Sequence, residues 1–111
     1  MTAHLPPLAA SLLAWWCGDE AARPPFAADL QVLSLSGAHN EAEVWLVKAQ
    51  PRSRWEAVVV RAHVAESNRF ALMFDANEPI TEMRVRMSWC VEVRDGSISQ
   101  VTQAWMRIAP E

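Results

Sequence analysis

EMRVRMSWCVEVRDGSISQVTQAWMR, residues 82–107, is the stretch on which the fold turns. Asp95-Gly96 is the strongest short-range hairpin signal a sequence offers, because the tight turn needs two residues that tolerate positive φ. Ahead of it, Met83, Val85, Met87, Trp89, Val91 and Val93 alternate with Arg84, Arg86, Ser88, Cys90, Glu92 and Arg94. That period of two belongs to a half-buried antiparallel strand. With the turn at Asp95-Gly96, the register predicts Val93 opposite Ile98, Val91 opposite Gln100, Trp89 opposite Thr102 and Val85 opposite Met106. One apolar face then runs over both strands, interrupted by Gln100 and Thr102. Trp105 falls on the other face, beside Arg84, Arg86, Val101 and Arg107.

Upstream, Trp55–Ala65 and Arg69–Asp75 read as a second pair of strands around Glu66-Ser67-Asn68. A three-residue loop sets Val64 opposite Phe70, Ala62 opposite Leu72 and Val60 opposite Phe74, which gathers the bulkiest residues on one face. Leu30–Ser36 reads as a strand ending at Gly37. Asn40 is placed to cap a short helix carrying Val44, Trp45 and Val47, which Pro51 stops. Near the start, Leu5, Leu8, Leu12, Trp15 and Trp16 form one stripe of a helix over Leu8–Cys17, with Gly18 as its C-cap. Asp19 caps a short piece, Glu20–Arg23, and Phe26–Asp29 reads as a further single turn. Helices followed by a four-stranded meander predict an α+β domain spanning residues 1–111. Its antiparallel sheet is curved into a half-open cone that the N-terminal helices cover.

With 111 residues the chain is long enough to bury a core, and its net charge of −3 favours neither nucleic acid nor an anionic membrane. No apolar run reaches the roughly 20 residues of a spanning helix. Leu8–Trp16 lacks the basic lead and small-residue cleavage site of a signal peptide, so a cytoplasmic protein is expected. Cys17 and Cys90 stand apart without metal-ligand spacing; they read as reduced thiols, with no metal site and no cofactor implied. Six tryptophans and no tyrosine supply large aromatic surfaces but no phenol for acid chemistry.

Three segments carry a resemblance. Pro25–Val32 is similar to an "F-A-D-D-A-x-V" entry into a first strand, Gly37 with Glu41–Val47 to a "G-x-x-x-I" helix start, and Val91–Ile98 to an "F-x-x-x-D-G-K-I" hairpin. In that order they resemble the nuclear transport factor 2-like superfamily, which includes SnoaL-like cyclases and ketosteroid isomerases. The stretch Leu35–Asn40 is too short for the hairpin that often precedes the inner helix in that family. The resemblance implies a cystatin-like cone, a small-molecule pocket inside it and a homodimer through the outer sheet face. It does not carry the isomerase machinery. Ser34 stands where the family's base would be and Trp89 where its protonated acid would be, and the tyrosine donor is absent. No acid–base pair of the SnoaL type is evident either.

Pocket candidates are therefore Trp15, Trp16, Ser34, Trp45, Met87, Trp89, Gln100 and Thr102. The tryptophans and Met87 suit either a flat apolar ligand or ordinary core packing. Gln100 and Thr102, as polar breaks in an apolar face, need a partner that is a ligand, a water or a backbone group. Arg84, Arg86, Val101 and Trp105 are the interface candidates, since Trp and Arg dominate interface hot spots; Arg stems stacked on an exposed Trp give the same pattern. His39 fits a cap or solvent position, His63 faces away from the cavity, Asp29 fits a turn, and Asp75 points outward into solvent. The expected role is binding of a small apolar molecule. SnoaL-like isomerase, cyclase or hydratase chemistry, or a purely associative role, are the alternatives.

Overall fold

The structure is a computed structural model that describes residues 5–34, 39–40, 42–48 and 54–109. Helix α1 (Pro7–Trp16) is followed by a 3-10 turn at Glu20–Ala22, strand β1 (Phe26–Ser34), strand β2 (His39–Asn40) and helix α2 (Ala42–Lys48). Strands β3 (Glu56–Glu66), β4 (Arg69–Asn77), β5 (Arg84–Arg94) and β6 (Ser97–Arg107) complete the chain. The six strands form one sheet in the order β2-β1-β6-β5-β4-β3. β1 runs parallel to β6 and every other pairing is antiparallel. The sheet is curved and does not close.

Helix α1 forms where the stripe predicts it. Pro7 sits in the first turn, where a missing N–H costs nothing, and Ala9, Leu12, Trp15 and Trp16 are its buried residues. Gly18 ends it at φ +122, a conformation open to glycine. Asp19 accepts a hydrogen bond from the Ala21 N–H at 3.1 Å and starts the 3-10 turn, as its position predicts. The core they close over holds Leu72, Phe74, Met87, Trp89, Val91, Ile98 and Val101 on the concave face of the sheet.

Four local expectations change. Phe26–Asp29 is strand rather than a turn of helix. Phe26 pairs with Ile98, Ile98 N–H donates to the Pro25 carbonyl at 2.9 Å, and the Phe26 ring packs 5.2 Å from Trp15. Tertiary pairing overrides weak helix propensity there. A two-residue pairing of β1 with β2 stands where the segment looked too short for one, so Asn40 belongs to a strand and α2 begins at Ala42. The third change is at the β3–β4 turn, which has two residues, Ser67-Asn68, with Glu66 opposite Arg69. Val64 consequently meets Ala71 and projects outward, 64% exposed. A bulge between Val60 and Ala62 then restores the predicted pairing of Val60 with Phe74. His63, opposite Leu72, shares the concave side instead of facing away, but is exposed on an edge strand.

The fourth change matters most. Asp95 (φ +53) and Gly96 (φ +78) make the predicted turn, and Val93 faces Ile98. The next pair is Glu92 with Gln100, so Ser99 is an extra residue on β6. Its hydroxyl donates to the Glu92 carbonyl at 3.1 Å. Because side chains alternate with period two, one inserted residue sends everything beyond it to the opposite face. Ile98 and Val101, three apart, are both fully buried.

Candidate functional site

That bulge builds the site. Beyond Ser99, Val101 pairs with Val91, Gln103 with Trp89 and Trp105 with Met87, so all three share the concave face. Gln100 and Thr102 pair with Glu92 and Cys90 and face the convex side, where they line a separate groove of about 350 Å³. They are not concave-face residues. The same shift takes Val101 and Trp105 out of the expected interface group, whereas Arg84 and Arg86 stay on the convex face. Val101 is core, and Trp105 lies on the inner face. Arg84 donates to the Ala57 carbonyl at 2.7 Å and the Asn77 side chain at 3.2 Å. Arg86 forks onto Asp75, Nε to Oδ1 at 2.8 Å and Nη2 to Oδ2 at 3.0 Å.

A cavity of about 530 Å³ opens at the wide end of the sheet. Trp16 reaches it from the end of α1, Val44 and Trp45 from α2, and Trp55 from the approach to β3. Val85 and Met87 on β5, Gln103 and Trp105 on β6, Ser34 at the end of β1 and the segment around Glu78–Met83 complete the described wall. Four tryptophans and two methionines dominate it. Such a wall offers dispersion and aromatic contact in a concavity of the size small-molecule sites use, roughly 300–1,000 Å³. Trp105 is 59% exposed, because it stands at the mouth.

Of the sequence candidates, Trp16, Ser34, Trp45 and Met87 line this cavity. Trp15 does not. It is buried against Phe26 and Trp45, with the Arg23 guanidinium 5.5 Å over its ring. Trp89 is also core, edge-on to Phe74 at 4.9 Å and to Trp16 at 5.6 Å. It acts on the cavity through one atom: its indole N–H donates to Gln103 Oε1 at 3.1 Å, and Trp45 Nε1 donates to the same oxygen at 3.1 Å. Gln103 and Trp55 were not among the sequence candidates, and Trp105 was expected at the interface rather than in the cavity wall.

Glu78 is the one ionisable residue among the described residues of the wall. Burial works to raise its carboxyl. Hydrogen bonds from the Thr81 hydroxyl and from the Ile80 and Thr81 N–H groups (2.8 Å each) outweigh that and hold it below its ordinary value. It is a charged turn-former, occupied by its own loop. Asp29 lies away from the cavity, exposed and paired with Arg94, whose hydrogen bond lowers its pKa. Asp75 does point outward, but it is not solvated: its carboxylate is fully covered by Arg86 and Arg61. The side chain of His39 lies outside the described residues. No three His, Cys, Asp or Glu side chains among the described residues cluster as metal ligands. The described wall thus offers apolar contact surface and few polar groups, with no acid–base couple among the described residues.

No protein-family model matches the chain, and no curated protein matches it. Solved structures do. A protein from Kribbella flavida superposes with a TM-score of 0.70 at 20% identity, covering 97% of this chain and 88% of its own. An NTF2-like protein of unknown function from Cytophaga hutchinsonii gives 0.68 at 16% identity, covering 96% and 95%. A Catenulispora acidiphila protein with a ketosteroid isomerase-like fold, in complex with trimethylamine, gives 0.66 at 18%, covering 90% and 85%. At such identities the likeness speaks for architecture. The curved sheet, the helices on its concave side and these neighbours together identify the nuclear transport factor 2-like fold.

Proposed function

We propose that this protein binds a small, largely apolar molecule in the tryptophan-lined cavity, without acid–base catalysis by its described wall. The observation that carries the reading is the wall itself: aromatic and thioether surface around about 530 Å³, with one locked carboxylate and no second titratable group among the described residues. General acid–base work needs a group free to exchange its proton, and Glu78 is committed to three hydrogen bonds. A neighbour of the same fold in complex with trimethylamine supports small-molecule binding as the class of role.

The same reading includes a homodimer through the convex face, on a surface revised from the one the sequence suggested. Leu33, Thr102, Cys90, Ala71 and Val64 form one row across that face, with Met106 and Val59 exposed beside it. The exposed apolar members of this face, Val64, Val59 and Met106, support that reading, because exposed apolar surface favours association. Native mass spectrometry of freshly purified protein tests both parts. A dimer carrying a few hundred extra daltons that vanish on denaturation is expected. A bare chain that also leaves tryptophan emission unchanged across a panel of hydrophobic compounds would defeat the binding reading, and a monomer at micromolar concentration would defeat the dimer.

A further inference from the structure

The geometry points to Gln103 as the residue that sets ligand specificity. Its carboxamide N–H is an oriented donor that selects apolar molecules bearing a neutral carbonyl-type oxygen. The inference rests on the cavity being a ligand site and adds the chemistry of what enters it.

An indole nitrogen donates and never accepts. Trp45 and Trp89 both direct Nε1–H at one atom of Gln103 at 3.1 Å. That atom is therefore the amide oxygen, and both of its lone-pair directions are taken. Turning the amide over would set an NH₂ group against two N–H donors, losing two hydrogen bonds and leaving both indoles unpaired. The two indole rings are almost wholly buried and packed against Trp16, so they hold the amide rather than follow it.

The other end of the amide is free. Nε2 makes no hydrogen bond among the described residues, and the only sealed, unpartnered side-chain polar atoms among them are Trp16 Nε1 and Arg84 Nε. Nε2 is consequently in contact with open space, and the open space beside Gln103 is the cavity. A donor fixed in an apolar wall rewards a ligand acceptor and leaves an analogue without one facing an unmet N–H. An anionic acceptor is disfavoured. Glu78 is the charged group of the described wall, and no cation there offsets a buried carboxylate. A ketone, ester or lactone oxygen on a hydrocarbon frame satisfies the site.

The test uses two probes of nearly equal shape, 1-tetralone and tetralin, titrated by NMR against the full chain and against Gln103→Met and Gln103→Glu. Met removes the donor at similar volume. Glu removes the donor but keeps an acceptor for both indoles, so it remains informative even if the Met variant fails to fold. The ratio of tetralone to tetralin affinity in the wild type is expected to exceed that in either variant by roughly three- to tenfold. The Trp45 and Trp89 indole signals should stay near their wild-type positions in Gln103→Glu. An equal ratio in all three proteins overturns the inference while leaving the cavity a binding site. No binding of either probe to the wild type overturns both.

Discussion

Asp75→Asn isolates one electrostatic device of the convex face. Arg86 donates to Oδ1 and Oδ2 at 2.8 and 3.0 Å, and Arg61 Nε donates to Oδ2 at 2.7 Å. The Arg86 hydrogen bonds are the largest influence, and with Arg61 they overcome burial and hold the carboxyl at about 2, against an ordinary 3.8. The folded-state value lies below the unfolded one, so the stabilisation is present above about pH 4 and is lost as pH falls through about 2. At about 1.4 kcal/mol per pH unit the upper bound is about 2.5 kcal/mol. The carboxylate is covered only by two guanidiniums about one third exposed, so water screens the pair. A working figure of about 1–2 kcal/mol follows, or roughly 4–8 °C in Tm for a domain of this size. Urea denaturation of wild type and Asp75→Asn, followed by tryptophan emission at pH 7, 4, 3 and 2, should show that difference at pH 7 and 4. The gap should shrink toward zero by pH 2. Other carboxylates titrate in both proteins and cancel in the difference. A gap that stays constant with pH, or an equally stable variant at pH 7, would refute the argument.

Two further outcomes follow from particular residues. Burial pushes the Cys17 thiol up to about 12, whereas Cys90 is exposed; since the thiolate is the reactive form, Cys90→Ala should leave a protein nearly inert to a disulfide reagent at pH 8 until it is denatured. Rapid labelling of native Cys90→Ala would contradict this. Gly96 (φ +78) has nothing within 4 Å of an added Cβ, so Gly96→Ala costs only the left-handed backbone term, about 1 kcal/mol. Gly18 (φ +122) would also press a Cβ to 3.0 Å from Arg54 Cγ, so Gly18→Ala should lower Tm more. The reverse order in thermal unfolding would count against the packing described at the end of α1.

The convex and concave faces exchange their polar residues at Ser99, and the candidate site depends on that one position. In an unbroken register Gln100 and Thr102 would sit among Val91 and Trp89, while Val101 and Trp105 would face outward. The bulged register buries Val101, returns Gln100 and Thr102 to the open side, and brings Gln103 beneath two indoles. Burial of the apolar residue and satisfaction of the buried donors favour the same shift. The polar interruptions of an otherwise apolar face were a readable sign of it.

What the sequence by itself determined is local: α1 and its stripe, the Asp19 cap, the Asp95-Gly96 turn, the inward set Val85, Met87, Trp89 and Val91, and the order of elements that makes an α+β cone. These follow from periodicity and turn chemistry within a few residues. What only the tertiary structure decided is non-local. It comprises the parallel pairing of β1 with β6 that turns Phe26–Asp29 into strand, the two-residue β3–β4 turn, and the bulges that curve the sheet. The placement of Trp55, Gln103 and Trp105 around one cavity belongs with them. The physical reason is that a strand's alternation fixes which residues share a face but not where a single inserted residue resets the count. That reset depends on which burial and hydrogen bonds the neighbouring strands and helices can complete.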